Sequence, residues 1–298
     1  MADGFILLDK PPGYTSHQVV TMVRKILNVS RAGHTGTLDP MATGLLIVAV
    51  GKATRLIEYL MGKDKCYHAE ITFGTATDTE DSQGKVLDTC REFILAPDKQ
   101  QAVLDAFRGK IKQVPPAASA IKIQGQRAYD LFRRGATPRM AAREVEILRI
   151  EPSEPLTELT AANPRLNILV CCSKGTYIRS LARDMGEAVG IPAHLSNLRR
   201  VSIGSIGIDR GCNLDQLAAD PGRHLQHMTM AVHDLPRLDV SEEVAAGFCQ
   251  GQKLNKPGLT GTFAVYCQNV FMGIGQGDGT LLKPRKVFCN HLPNREEV

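Results

Sequence analysis

The sequence predicts an α+β fold with a mixed or antiparallel sheet, followed by a small β-rich tail. Apolar runs of strand length alternate with amphipathic helical segments, but without a strict βαβ rhythm. After Leu238 the character changes to a β pattern punctuated by glycine. The composition, 43% hydrophobic and 22% charged, is that of an ordinary globular protein. The chain has 298 residues, and at roughly 150 residues per domain that suggests a body over 1–237 and a second unit over 238–298.

Taken in order, FILLDK at 5–10 is a short apolar run entering Pro11-Pro12-Gly13, so it reads as a buried strand ending in a turn. From Ser16, a good N-cap, Val19, Val20, Val23, Ile26 and Leu27 follow the 3.6-residue period and predict a helix to about Asn28. RAGHTGTLDPMAT at 31–43, rich in Gly and Thr and broken by Pro40, reads as a loop. Gly44 to Val50 is a buried strand, Thr54 to Met61 a short helix with Leu56, Ile57 and Leu60 inward, and Cys66 to Phe73 a period-2 strand. An acidic turn spans 78–84, and Val103, Leu104 and Phe107 give helical spacing over 97–107. Arg165 to Cys172 is a strand, and Thr176 to Val189 a helix with Ile178, Leu181, Met185 and Val189 on its apolar face. Short helical turns over 213–238, a helix at 242–248 and the strands TFAVY, VFMGIG and LLKPRKVF complete the chain.

Net charge is +5, from 36 Lys plus Arg against 31 Asp plus Glu, and it is not evenly spread. Residues 121–149 hold seven bases and three acids, a net +4 that suits a polyanionic partner. The longest apolar stretch is far short of the roughly 20 residues a membrane helix needs, and MADGFILLDK lacks the basic n-region of a signal peptide. A cytoplasmic protein with no membrane partner is expected. Eight cysteines occur without a CxxC pair, and we read them as reduced, mostly core residues. His224 and His227 are the one helical i, i+3 histidine pair, too little for a metal site. Gly51-Lys52-Ala53 lacks the remainder of a phosphate loop, and the glycines at 273, 275, 277 and 279 precede no helix, so a hairpin is expected there. HExxH, GxSxG and EF-hand patterns are absent, so no metal and no cofactor are expected.

What remains is GHTGTLDPMATG at 33–44, a long polar loop entering a buried strand. This order sets Asp39 at the lip of the core, where partial desolvation and a nearby cation can tune a carboxylate. A turn cap before Pro40 is the alternative use of that aspartate.

The run GHTGTLDPMATGLL closely resembles the central motif of the TruB family of tRNA pseudouridine synthases, whose aspartate is catalytic. Further blocks match in order: LLDKPPGYTSH at 7–17, KCYHAEITFGTATDTEDSQG at 65–84, PPAASAIKIQGQRAYDLFRRG at 115–135, SKGTYIRSLARDMG at 173–186 and HLSNLRRVSIG at 194–204. The tail resembles a PUA-type RNA-binding domain. The resemblance implies a pseudouridine synthase catalytic core with a basic thumb insertion at about 121–149. It also implies a stand-alone, monomeric, cofactor-free enzyme that isomerises the T-loop uridine of tRNA at position 55, bound through the T-arm stem-loop. A glycoside hydrolase uses two carboxylates, whereas an isomerase that retains its leaving group can work with one nucleophile.

By the same resemblance, Asp39 is the nucleophile, Arg179 its cation, and Tyr67 the tyrosine that stacks on the base and removes the C5 proton. Leu198 forms the apolar wall on the other face of the base, and Tyr177 also belongs to the substrate site. His34 stacks in the loop from which the uridine is flipped, and Lys10 orders the site. Arg55, Lys122, Arg127, Arg133, Arg134, Arg143 and Arg199 contact the RNA. On residue type alone, Tyr67 could equally be core, His34 polar lining, and Asp78 either an RNA neighbour or part of a plain acidic turn. Arg183, with Glu187 at i+4, reads as a solvated helical arginine. Ala118 stands where relatives often carry a larger residue. Other readings of the chain are an RNA-binding or RNA-folding module, the catalytic subunit of a guide-RNA particle, and a carboxylate glycosidase, for which no motif places a second acid.

Overall fold

In a computed structural model, residues 3–289 are described except 120, 124, 137 and 139, and the side chains of Lys122 and Arg127 also lie outside the description. A mixed sheet organises the body. Its strands run Leu225–Gln226, Gly4–Lys10, Thr43–Val50, Ala193–Ile203, Lys65–Phe73, Arg165–Cys172, Arg143–Pro152 and Gly109–Gln113. Neighbours pair antiparallel except where Ala193–Ile203 meets Thr43–Val50 in parallel. The α+β class is therefore as the patterning predicts.

Gly4–Lys10 and Thr43–Val50 are covered on both faces, which is why they read as unbroken apolar runs. Ile6, Leu8, Leu46, Val48 and Val50 pack into one core with the helices Ser16–Ile26 and Ile178–Val189. Phe5, Leu7, Leu45, Ile47 and Ala49 pack into a second core on the opposite face. Ala264, Phe271, Ile274 and Phe288 of the C-terminal region join this second core, so the tail is seated on the body through apolar contact.

That tail carries a five-stranded sheet in the order Arg237–Asp239, Thr260–Cys267, Val270–Asp278, Leu281–Val287 and Leu254–Asn255. The glycine run lies in the expected hairpin: Gly273, Gly275 and Gly277 are in the middle strand, where they permit close packing, and Gly279, at φ +100°, is in the turn to the antiparallel strand Leu281–Val287. A Cβ at Gly273 would sit 1.9 Å from the Lys286 carbonyl oxygen, and one at Gly277 would sit 2.4 Å from that of Leu259.

The structure corrects several expectations. The helix N-cap is Thr15, whose hydroxyl accepts from Gln18 N–H, so Ser16 is free for another task. The loop at 31–43 opens with a short strand, Ala32–His34, antiparallel to Val48–Val50. It covers the part of that buried edge which Ala193–Ile203 leaves unpaired. The reading of all cysteines as reduced is overturned as well. Cys66 and Cys171 face each other across paired strands and are joined, as are Cys249 and Cys289. Partners 105 residues apart give no spacing signal in the sequence. Cys90, Cys172, Cys212 and Cys267 remain free.

The eleven-residue strand Ala193–Ile203 is absent from the sequence reading. Irregularities between Leu195 and Asn197 and between Arg200 and Ser202 break its alternation, which hides the period of 2. It nevertheless joins the two halves of the central sheet.

Candidate active site

The Gly33–Gly44 motif is held by side chains that bond its backbone from three sides. Ser16 Oγ accepts from Leu38 N–H at 2.8 Å and donates to Leu38 O at 3.0 Å, fixing the residue before Asp39. Lys10, fully buried, donates to the carbonyls of Pro11, Pro40 and Ala42 at 2.9, 3.2 and 2.7 Å. Burial lowers the Lys10 ammonium from its ordinary 10.5 to about 8, opposed by the charge of Asp39 and aided by that of Arg200. Arg200 donates from Nη2 to Gly36 O at 3.0 Å and from Nε to Leu45 O at 2.7 Å. Gly44 has φ +98°, and a Cβ there would lie 2.3 Å from Arg200 O, so only glycine lets the two strands meet at this point.

Both candidate uses of Asp39 are visible, divided between backbone and side chain. Its carbonyl accepts from Ala42 N–H at 3.1 Å, closing a turn with Pro40 at the second position. Its carboxylate is turned to Arg179, at 2.9 Å from Nε and 3.1 Å from Nη2. Burial is divided unequally between the two partners. The Asp39 side chain is 30% exposed, and the burial falls on Arg179, at 6%. An open carboxylate against a buried cation stays accessible to a substrate.

Arg179 begins the helix that follows the Arg165–Cys172 strand, and its remaining contacts fix the guanidinium. Nη1 donates to Thr79 O at 3.1 Å and lies 3.6 Å from Asp81 Oδ2, while Nη2 donates to Ala118 O at 3.0 Å. Asp81, with a side chain 8% exposed, is thus the acid of the 78–84 turn that reaches the site. Asp78, in contrast, accepts from Lys85 N–H and closes the turn itself. The side chain of residue 118 is small, but its carbonyl is a ligand of Arg179. Gln113, fully buried, accepts from Tyr177 N–H at 2.8 Å and donates to Tyr177 O at 3.0 Å, which fixes the helix entry from the strand beside the thumb. Asp81, Gln113, Ser16 and Arg200 were not singled out as site residues from the sequence. For all but Gln113, the available signal was their position inside matching blocks.

Tyr67 and Leu198 are both nearly buried, at 8% and 6% exposure, on adjacent strands. Burial raises the Tyr67 phenol above its ordinary value, while the charge of Arg200 pulls it down. His34 is half-buried; its Nδ1 accepts from Gly36 N–H at 3.3 Å, and burial lowers its pKa, with the charges of Arg200 and His17 adding to the effect. Arg183 is not simply solvated. It pairs with Glu80 and with Asp184 and bonds Val114 O, and Glu187 stands off at 3.8 Å. Burial raises the Glu80 carboxyl despite that pairing and a bond from Ser180.

The basic residues divide into two groups. Arg143 lies 4.8 Å over the Tyr177 ring and bonds Gly175 O, which puts it beside the site. Arg133 and Arg134 are exposed and make no ion pair among the described residues, though Arg133 lies 5.6 Å from the Tyr129 ring. Arg199 is engaged in a two-pronged pair with Asp9 at 3.0 and 2.8 Å. Arg55 is set against the tail, donating to Val287 O and lying 4.8 Å over Phe288. Lys122 and Arg127 belong to a small hairpin, and their side chains are outside the described residues. Among the described residues no cluster of three His, Cys, Asp or Glu could hold a metal ion, and no helix is long and apolar enough to cross a membrane.

Family models match nearly the whole described chain. The TruB family pseudouridylate synthase N-terminal domain covers residues 24–178, the tRNA pseudouridylate synthase B C-terminal domain covers 179–231, and the pseudouridine synthase II TruB C-terminal region covers 236–288. The chain belongs to the TruB family of pseudouridine synthases. It is an isomerase by family. Among its relatives is tRNA pseudouridine synthase B of Symbiobacterium thermophilum, 45% identical over 84% of this chain and 82% of that protein. The Aquifex aeolicus protein of the same name is 37% identical over 96% and 99%. The fold is similar to that in the crystal structure of a Cbf5-Nop10-Gar1 complex, with TM-score 0.72 and 28% identity over 96% of this chain and 85% of that one.

Proposed function

We propose that the chain converts the uridine at position 55 in the T-loop of tRNA to pseudouridine, using Asp39 as nucleophile on a base flipped out of its stack. The observation that carries this reading is the half-open Asp39 carboxylate held by the buried Arg179 guanidinium, at the mouth of a loop pinned on three sides. The relatives' shared name supports tRNA as the substrate. The reaction breaks the C1′–N1 bond, forms C1′–C5, moves a proton off C5 and places one on N1. Atoms balance without a cofactor. Attack at C1′, attack at C6 and passage through a glycal all require the same ionised carboxylate. Tyr67 and Leu198 bracket the base, and Tyr67 receives the C5 proton.

In this proposal residues 1–237 form the catalytic body and 238–298 a PUA-like RNA-binding unit. Residues 121–149 act as a thumb whose exposed Arg133 and Arg134 meet phosphates. The enzyme works as a cytoplasmic monomer. Likeness to the Cbf5 complex favours one second reading, a guide-dependent particle.

Tritium release from tRNA labelled at uracil C5, without any guide RNA, separates these readings. Wild type is expected to release tritium on tRNA and on a T-arm stem-loop alone, while Asp39→Asn binds RNA and releases none. Activity that appears only with an added guide RNA supports the particle, and undiminished release by Asp39→Asn would falsify the nucleophile assignment.

A further inference from the structure

Arg200 is a buried cation that pinning the loop does not fully explain. It is 1% exposed and makes no ion pair among the described residues. A charge in that position costs several kcal/mol unless something compensates it. Its bonds to Gly36 O and Leu45 O need a donor but not a charge. The register of the two strands sets Arg200 directly opposite Tyr67, so the two side chains share one face of the sheet and the guanidinium charge acts on the phenol. The other groups acting electrostatically on the phenol are Cys172, from the strand on the far side of Lys65–Phe73, and Asp39, from the loop. Both resist a negative charge on the tyrosine oxygen, whereas Arg200 favours one.

We propose that Arg200 is the charge partner of Tyr67 in the proton-transfer half of the reaction, stabilising the phenolate that accepts the C5 proton. This rests on the reading of Tyr67 as the proton acceptor. After C1′–C5 joining, C5 carries both its hydrogen and the new bond. The phenolate takes that hydrogen as a proton, the C–H electron pair restores the C5=C6 double bond, and the pair displaced from the C6=N1 bond settles on N1. N1 gains a proton from water, and the new phenol returns its own to water, so the step is neutral overall. Arg200 acts through Tyr67, opposite it in the sheet, and is therefore a positioning residue.

The test compares Arg200→Gln, which keeps amide donors without charge, with Arg200→Lys, which keeps charge without the fork. Both variants lose the same two-pronged anchorage, so the difference between them isolates charge. Each is checked for a melting transition and stem-loop binding, then run on T-arm RNA with hydrogen or deuterium at C5. A parallel substrate carries 5-fluorouridine, which has no C5 proton to lose.

Arg200→Gln is expected to slow proton release about 100-fold, the low end of a general-base contribution, and to expose a primary deuterium isotope effect. Its conversion of the fluorinated nucleoside to the C-linked form is expected to keep the Arg200→Lys rate. Arg200→Lys is expected to recover most of the proton release. Equal loss in both variants, without an isotope effect, overturns the proposal and leaves Arg200 as packing. Tyr67→Phe is run alongside: undiminished C5 proton release there refutes Tyr67 as acceptor, a failure distinct from that of Arg200.

Discussion

The loop at 33–44, irregular over most of its length, and the basic segment at 121–149, which carries a small hairpin, the helix Ala128–Arg133 and the start of the strand Arg143–Pro152, are built in opposite ways. In the loop, carbonyls at 36, 38, 40 and 42 each receive a side-chain donor from a buried residue elsewhere in the body. In the basic segment, Arg133 and Arg134 stand in solvent without a carboxylate partner among the described residues. Under the proposed function the difference follows from the task. A nucleophile must keep its position within fractions of an ångström, and in irregular chain that rigidity comes from side chains that replace the missing ladder bonds. A phosphate contact needs a cation that is not already neutralised.

The largest break in this contrast is expected from Arg179→Met. It leaves Asp39 and Asp81 without their shared cation, and removing one partner of a buried pair costs about 3–5 kcal/mol. Denaturant unfolding should register that loss, and tritium release should vanish with it. A variant that unfolds at the wild-type denaturant concentration would show that the site draws no stability from the pair.

Lys10 sharpens the contrast through pH. Its folded value, about 8, lies below its ordinary 10.5, so the fold disfavours the charged form. The penalty is full below about pH 8 and is relieved as pH rises toward 10.5. One group contributes up to roughly 3 kcal/mol across that window. Stability should therefore rise over the same interval in which turnover falls, because the ammonium that holds Pro40 and Ala42 is being lost. Lys65, also held at about 8 by burial, contributes to the stability gain but not to the loop. Lys10→Met should remove about half of the rise in unfolding free energy, and an unchanged rise would assign it all to Lys65.

How far the sequence could be read depends on the same physics. Gly4–Lys10, Thr43–Val50 and Arg165–Cys172 were legible because burial on one or both faces writes itself into residue type. Ala193–Ile203 was not, since bulges and two consecutive arginines break its alternation. That omission hid Arg200, whose bonds to Gly36 O and Leu45 O and whose register with Tyr67 depend on that strand. Asp39 and Arg179 were found by resemblance, and their meeting across 140 positions has no local signature. Asp78 was singled out ahead of Asp81 because within TDTED nothing distinguishes the acid that closes the turn from the one that turns inward. The cysteine pairs escaped for a similar reason, since pairing across strands leaves no fixed spacing.

A smaller effect is expected from Ser16→Ala, which removes both bonds to Leu38. A buried hydrogen bond contributes about 1 kcal/mol net, so unfolding should shift modestly. Turnover at saturating RNA should fall by more than that shift suggests, with little change in KM, because the residue next to Asp39 is loosened. A rise in KM with turnover unchanged would mean instead that Ser16 serves the RNA surface.

The smallest effect on the fold, and none on the chemistry, is expected at the other end of the contrast. Arg133→Ala with Arg134→Ala touches exposed side chains, for which stability changes stay within about 0.5 kcal/mol. Affinity for the T-arm should nevertheless weaken, because each neutralised phosphate releases a counterion. The slope of log K against log salt should flatten by about 0.7 for each phosphate that no longer meets an arginine, the value for single-stranded RNA. Turnover at saturating RNA should stay at the wild-type rate, since neither residue supports the loop. An unchanged salt slope would remove these arginines from the RNA interface. A lowered saturating rate would show that Arg133 and Arg134 act on the site as well as on the RNA, along the segment that also sets Arg143 over Tyr177.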